Sequence, residues 1–587
     1  MEPMTKRIFN LNGTWDFVAD LDPKYHAIHG GYHKPCADRR HWLKVQVPGV
    51  WQKYGERYDI FEGVCWFARE FAAPELPAGT VARLCFGAVN YLARVYLNGE
   101  PVGSHEGGYT AFVLDVTGKL NIGSNHLAVQ VDNRALITKW PPCLGYFNYG
   151  GIHRDVSLEI MDGPALEDIA LEAVKSERGW ELKAEGRVLN ARAGQIVRVR
   201  GGSLSWEAAL AVDGTLAVQV PFFDTPSWSP EFPHMEAIVV ELLDEARAVQ
   251  DRRKFDFGFR TLAMRGGIVH LNGQPYTLKG VCYVYDSPVT GLVMTSEQID
   301  TDLRLMKEAG CNAVRCHYPM DEAFYTACDR LGFLVWIEPP VYCYHPGDRE
   351  TVTRFADPEW LALAQNMACE MIAIARNHPS VAIYSIGNEC NTANPEAEEF
   401  FRALTATMRE TDSTRLISYA ALYGIIGPIA DLVDVVGLNS YWGWYDKIWG
   451  GKGLAPVSEG AVCGVQGSVA TEPINLTPLR EMLDKVVGEK RDLALFLTEF
   501  GADSVPGNHA ASRDLWSENY HADLLSAILA LASDYPQIVG TFPFCFSDYR
   551  DPSKVPNGYW DELNLKGIVD YHRNRKLAFD ALRKHYI

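Results

Sequence analysis

At Phe259-Arg260 the hydrophobic grammar of the chain changes, and that change limits what each part can fold into. Downstream, short apolar runs alternate with longer amphipathic stretches, the pattern of parallel strands joined by helices. The runs fall at 276–280, 313–316, 334–338, 381–386, 416–420, 433–438, 493–497 and 538–542. Helical periodicity occupies 297–309, 358–377, 395–411, 477–488 and 511–533. Eight strands within 261–587 fit a (β/α)8 barrel with some long loops. Upstream the texture is all-β. Segments such as Arg83-Leu-Cys-Phe and His126-Leu-Ala-Val-Gln-Val are short, with turn signals at Asn98-Gly99 and Asp162-Gly163, so 1–163 reads as an antiparallel sandwich. Residues 164–260 form a second strand-rich stretch with the length of a small immunoglobulin-like sandwich.

Charge narrows the function classes. The 55 Lys and Arg against 74 Asp and Glu give a net charge of −19, which repels phosphate backbones and anionic membranes. Neither nucleic acid nor a membrane is expected as a partner, and an anionic ligand needs a local cationic site. The thirteen cysteines are scattered, and Met1-Glu-Pro-Met-Thr-Lys-Arg lacks an apolar signal core, which predicts free thiols in a reducing cytoplasm. His26, His29, His33 and Cys36 have ligand-like spacing. The glycines and proline among them, without a supporting carboxylate pattern, read as a polar loop, so neither a metal nor an organic cofactor is expected.

In a barrel, chemistry sits where the strands end. The fourth run ends in Asn388-Glu389 and the seventh in Thr498-Glu499. Strands four and seven lie on opposite sides of one cleft, and two facing carboxyls are the equipment for glycoside hydrolysis. At a separation of roughly 5–5.5 Å, one attacks the anomeric carbon and the other acts as acid and then base. A salt-bridged strand-end glutamate explains either residue alone, but not both on these two strands.

Asn388-Glu389 and Thr498-Glu499-Phe500-Gly501 resemble the fourth- and seventh-strand signatures of glycoside hydrolase family 2, which includes β-galactosidases, β-glucuronidases and β-mannosidases. Asn148-Tyr-Gly-Gly-Ile-His-Arg154 resembles the phrase closing that family's amino-terminal jelly roll. Phe257-Gly-Phe-Arg260 resembles the start of its barrel, and Arg315-Cys-His317-Tyr-Pro319 its second-strand end. The resemblance implies a jelly roll over 1–163, Glu389 as acid/base, Glu499 as nucleophile and Asn388 on the sugar's 2-hydroxyl. It places Arg315, His317, Tyr441 and Tyr445 around the substrate. Members often assemble through their sandwich domains, which leaves a homo-oligomer open.

Asn564-Leu-Lys566, just past the eighth strand, matches the Asn-x-Lys motif that distinguishes β-glucuronidases within the family. An amide and an ammonium can hold a C6 carboxylate by charge-assisted hydrogen bonds. On this reading a neutral galactoside would leave the lysine's desolvated charge unpaired, costing roughly 2–5 kcal/mol. The segment Asn439-Ser-Tyr441-Trp-Gly-Trp-Tyr445 is also similar to the glucuronidase version, with Tyr441 against the nucleophile and Tyr445 near the carboxylate. Three positions depart: Val284 stands where a histidine is usual, Gly145 where glucuronidases present an Asp that reads hydroxyls around C4, and Phe544 where a tryptophan ends strand eight. All three touch hydroxyl readout and none touches the carboxylate clamp. The expectation is therefore a retaining, exo-acting hydrolase of terminal β-linked uronic acids, β-D-glucuronides first. A β-D-galacturonidase or β-galactosidase on the same scaffold are alternatives, and a non-catalytic carbohydrate-binding protein is the alternative of another class. The glycine-rich stretch 448–477 reads equally as a lid over the barrel mouth or as a spacer.

Overall fold

The computed structural model describes residues 6–22, 31–77, 79–134, 138–141, 145–342, 354–448, 474–489, 493–509, 513–552 and 562–587. The amino-terminal domain is a sandwich of a six-stranded and a four-stranded antiparallel sheet. Val81–Phe86 shows why these segments are strands: Ala82, Leu84 and Phe86 are buried while the residues between them are not, the alternation of a half-buried sheet. These side chains pack with Trp15, Phe17, Phe67 and Leu158 in one core. The next domain pairs a three-stranded sheet with a four-stranded one around Trp180, Val197, Phe222 and Val240.

The barrel is closed and parallel. Its first strand is interrupted: Leu278–Lys279 pairs with the last strand, Ile538–Thr541, and Cys282–Tyr283 pairs with the second, Ala313–Cys316. The apolar run 276–280 predicts one unbroken strand. A side chain at Gly280 would collide with the Phe542 ring, and the pairing shifts from one neighbour to the other across this glycine. The remaining strands are Leu334–Ile337, Val381–Asn388, Leu416–Leu422, Val435–Asn439 and Ala494–Glu499.

Helix starts follow their caps. The stretch 511–533 becomes helix only over Glu518–Ala532, because the Ser517 hydroxyl accepts from the Tyr520 N–H and sets the first turn there. The helix Glu322–Leu331 was not anticipated from periodicity. Its signals were the Asp321 cap and Gly332, which ends it at φ 76°.

The first sandwich docks beside the barrel mouth. Arg154 donates to the Pro319 carbonyl at 2.7 Å, just past the second strand, and the Tyr149 hydroxyl donates to Asp286 at 2.8 Å, just past the first. His33 packs 4.9 Å from the Tyr96 ring and Cys36 is exposed, while His26 and His29 lie outside the described residues. Among the described residues no cluster of potential metal ligands occurs, all ten cysteines are free, and no helix is long and apolar enough to cross a membrane. Most of the stretch 448–477, residues 449–473, also lies outside the described residues.

Candidate active site

Two backbone irregularities bring the polar residues of strands four, six and seven together. In a regular strand Asn388 and Glu389 would point to opposite faces. Here the pairing with strand five shifts between Ser385 and Asn388, and Glu389 takes a left-handed backbone at φ 51°. Such a conformation costs a non-glycine residue roughly 1–3 kcal/mol. It turns the Glu389 side chain toward the same neighbour that Asn388 reaches. A second shift, between Leu438 and Asn439, sets Asn439 directly beside Glu499.

That neighbour is Asn439, which sequence reasoning did not assign to the site. Its Nδ2 lies 2.9 Å from Asn388 Oδ1, 2.7 Å from Glu389 Oε1 and 2.8 Å from Glu499 Oε1. The Thr498 hydroxyl donates to its Oδ1 at 2.7 Å and fixes which way the amide faces. Because one nitrogen touches both carboxylates, the two Oε1 atoms cannot be further apart than the sum of 2.7 and 2.8 Å, which is 5.5 Å.

Glu499 is 5% exposed and surrounded by donors. Arg315 Nη1 donates to Oε1 at 2.8 Å, His317 Nε2 lies 2.9 Å from the same oxygen, and the Tyr441 hydroxyl donates to Oε2 at 2.7 Å. Burial pushes its carboxyl up, but the His317 hydrogen bond, the Arg315 charge and the Tyr441 hydrogen bond outweigh it and hold the group at about 2. Arg315 is fully buried. Its Nη2 donates to Asn388 Oδ1 and its Nε to Glu338 Oε1, each at 2.8 Å. Burial works against the guanidinium's charge, and Glu338 and Glu499 more than restore it. Glu338, which also accepts from Trp336 Nε1 at 2.8 Å, is a second residue missed by sequence reasoning. Like Asn439, it is a polar group at the end of an apolar strand, the signal already applied to 389 and 499.

Phe544 sits edge-on to His317 at 5.7 Å and to Tyr441 at 6.4 Å, forming an apolar wall. Val284 is buried in the core and offers no hydrogen-bonding side chain. On the far side of Tyr441 lies Lys566, 1% exposed, with its Nζ 4.9 Å from the Tyr445 ring centre and 5.7 Å from that of Tyr441. Here one expectation is corrected. The lysine's charge is paired within the chain itself, because Nζ donates to Asp503 Oδ2 at 2.6 Å. Asp503 also accepts from Trp444 Nε1 at 2.8 Å and from the Leu565 N–H at 3.0 Å. An ammonium carries three hydrogens, and among the described residues Asp503 is its one hydrogen-bond acceptor. Asn564 is buried, with Nδ2 3.0 Å from the Tyr549 hydroxyl and 3.2 Å from Asp551 Oδ2. The Tyr549 hydroxyl in turn donates to the Gly145 carbonyl at 3.0 Å, which ties the motif to the sandwich loop. A Cβ at Gly145 would lie 3.3 Å from the Tyr342 hydroxyl.

Residues 262–587 match the TIM barrel domain model of glycosyl hydrolases family 2, and residues 8–161 match that family's sugar-binding domain model. The chain belongs to glycosyl hydrolase family 2. It is a glycoside hydrolase. A β-glucuronidase of Paenibacillus borealis is 26% identical, covering 100% of this chain and 98% of its own. Among solved structures, a family 2 β-galacturonidase from Eisenbergiella tayi bound to galacturonate superposes with TM-score 0.82 at 25% identity, covering 100% and 98% of the two chains. A β-glucuronidase from an uncultured Clostridium species gives a TM-score of 0.85 at 25% identity, covering 100% and 98% of the two chains.

Proposed function

We propose that this family 2 chain removes terminal β-linked uronic acids from the non-reducing end of its substrates, with net retention at the anomeric carbon. The observation that carries the mechanism is the shared Asn439 amide, which keeps the Glu389 and Glu499 Oε1 atoms within 5.5 Å of each other. An inverting pair is spaced at roughly 6.5–9.5 Å to admit a water molecule, whereas a double displacement uses roughly 5–5.5 Å. Glu499, ionised and surrounded by donors, attacks the anomeric carbon. As the bond to the aglycone oxygen breaks, that oxygen takes the proton of Glu389. In the second half, Glu389 as carboxylate removes a proton from water, the water oxygen attacks the same carbon, and the ester to Glu499 breaks. Asn388 has its Oδ1 engaged by Arg315 and Asn439, so it addresses the 2-hydroxyl through its NH2.

The uronic acid reading rests on Lys566. A buried ammonium with one acceptor retains hydrogens for a ligand's oxygens, and a carboxylate supplies both oxygens and charge. The names of the β-glucuronidases and the β-galacturonidase reported above agree with it. β-D-Glucuronides are the first choice. A β-galacturonide is favoured by Gly145, where no side chain reaches toward C4 and Tyr342 takes the adjacent space. A panel of p-nitrophenyl β-glucuronide, β-galacturonide and β-galactoside decides among these. The expected order places both uronides at least 100-fold above the galactoside in kcat/KM, and a galactoside hydrolysed as well as the uronides refutes the reading.

Glu499 also sets a pH expectation. Its pKa of about 2 keeps it ionised through the mildly acid range, so activity lost near pH 4–5 has another origin. His317→Phe removes the hydrogen bond that lowers this pKa most. The Glu499 carboxyl should then titrate at higher pH than in wild type, read by carboxylate infrared difference spectra, and an unmoved titration counts against His317 as the group that keeps Glu499 ionised.

A further inference from the structure

Behind the proposed clamp lies a second buried lysine that cannot touch a sugar in the cleft. Lys576 is 2% exposed and begins the terminal helix Leu577–Tyr586. Its Nζ donates to Asp548 Oδ1 at 2.7 Å, to the Leu565 carbonyl at 2.9 Å and to the Ser504 carbonyl at 3.0 Å. These three oxygens, with Ser504 Oγ also at 3.5 Å, take up the three hydrogens of one ammonium, which leaves it nothing to offer a substrate.

Each acceptor belongs to a different segment of the clamp. Ser504 follows Asp503, the partner of Lys566. Leu565 stands between Asn564 and Lys566. Asp548 precedes Tyr549, the partner of Asn564, and its Oδ1 also accepts from the Gly567 N–H at 2.9 Å. The same segments are laced by Ser504 N–H to Leu565 O at 2.9 Å and Leu565 N–H to Asp503 Oδ1 at 3.0 Å. We infer that Lys576 is a positioning residue: its ammonium cross-links the loops after strands seven and eight and so holds Asn564 and Lys566 in register for a sugar carboxylate. This rests on the reading of Lys566 as a carboxylate ligand. Burial pushes the Asp548 carboxyl up to about 7 even against the charge of Lys576, so without that lysine the acceptor side of the cross-link would lose its charge as well.

The test compares inhibition by isofagomine, which lacks a carboxylate, with inhibition by its C6-carboxylate analogue. The ratio of the two Ki values reads the clamp alone. Wild type should bind the acid at least tenfold more tightly. In folded Lys576→Met, checked by its melting curve, that preference should shrink tenfold or more while the Ki of isofagomine moves less than threefold. If Lys576→Met does not fold, Asp548→Asn, which keeps the shape and removes the paired charge, should shrink the preference at least threefold. A preference unchanged in the folded variant, or both inhibitors weakened equally, overturns the positioning role and leaves the uronide reading intact. A wild type indifferent to the carboxylate overturns both.

Discussion

In Glu499→Ala, turnover of an aryl β-glucuronide is expected to fall by about 10⁴-fold or more, the scale on which enzymes lose rate with their nucleophile. The same protein supplied with azide should recover activity and release the α-glycosyl azide, because the ion enters the space left by the carboxylate and attacks from that face. Glu389→Ala should fall by about 10²–10⁴-fold, as general acid–base catalysts do. Its loss should depend on the leaving group, being smallest with dinitrophenol, which needs no proton to depart. Azide should then intercept the glycosyl-enzyme from the opposite face and give the β-azide. Proton NMR of the two products reads the assignment directly. Identical anomers from both variants would show that the two carboxylates do not work from opposite faces of the sugar. Azide that rescues neither variant would remove the double displacement. The Asn439 geometry adds a further expectation. Asn439→Ala frees both carboxylates from their common donor, so it should lower kcat without abolishing it.

The two carboxylates were legible in the sequence because they end apolar strands, whereas Asn564 and Lys566 were legible only through a motif. Glu389 and Glu499 follow runs so apolar that packing cannot account for them, and the strand-end rule needs only the order of the strands. The same rule covers Asn439 and Glu338, yet neither drew attention, because an asparagine or a third glutamate implies no reaction by itself. Their importance is geometric. It arises from the shift at Asn439 and the left-handed turn at Glu389, and no period in the hydrophobic pattern encodes either. The divided first strand was hidden for a related reason, since its break depends on a ring 262 positions away that fills the space over Gly280. Asp503 was hidden differently. A carboxylate four residues beyond Glu499 reads as an ordinary loop acid until the fold brings Lys566 within 2.6 Å of it.

That pair changes how selectivity for an acid sugar must be understood. A clamp lysine without a partner would penalise every neutral sugar, whereas Lys566 with Asp503 is already neutralised and tolerates an empty site. Discrimination must then come from what the uronate adds, namely acceptors for the remaining ammonium hydrogens and for the Asn564 amide. Lys566→Met keeps the length of the side chain and removes the donors. Asp503 retains Trp444 and the Leu565 N–H, so its carboxylate is not stranded. Truncating one partner of a buried, hydrogen-bonded charge pair costs about 2–5 kcal/mol, and each 1.36 kcal/mol is about tenfold in rate. The expected result is a loss of about 30- to 5,000-fold in kcat/KM on the preferred uronide, against less than tenfold on the matching β-galactoside. Comparable losses on both would mean that Lys566 supports the fold of the pocket and does not read the sugar's acid, and the preference for uronic acids would have to be sought in other residues of the cleft.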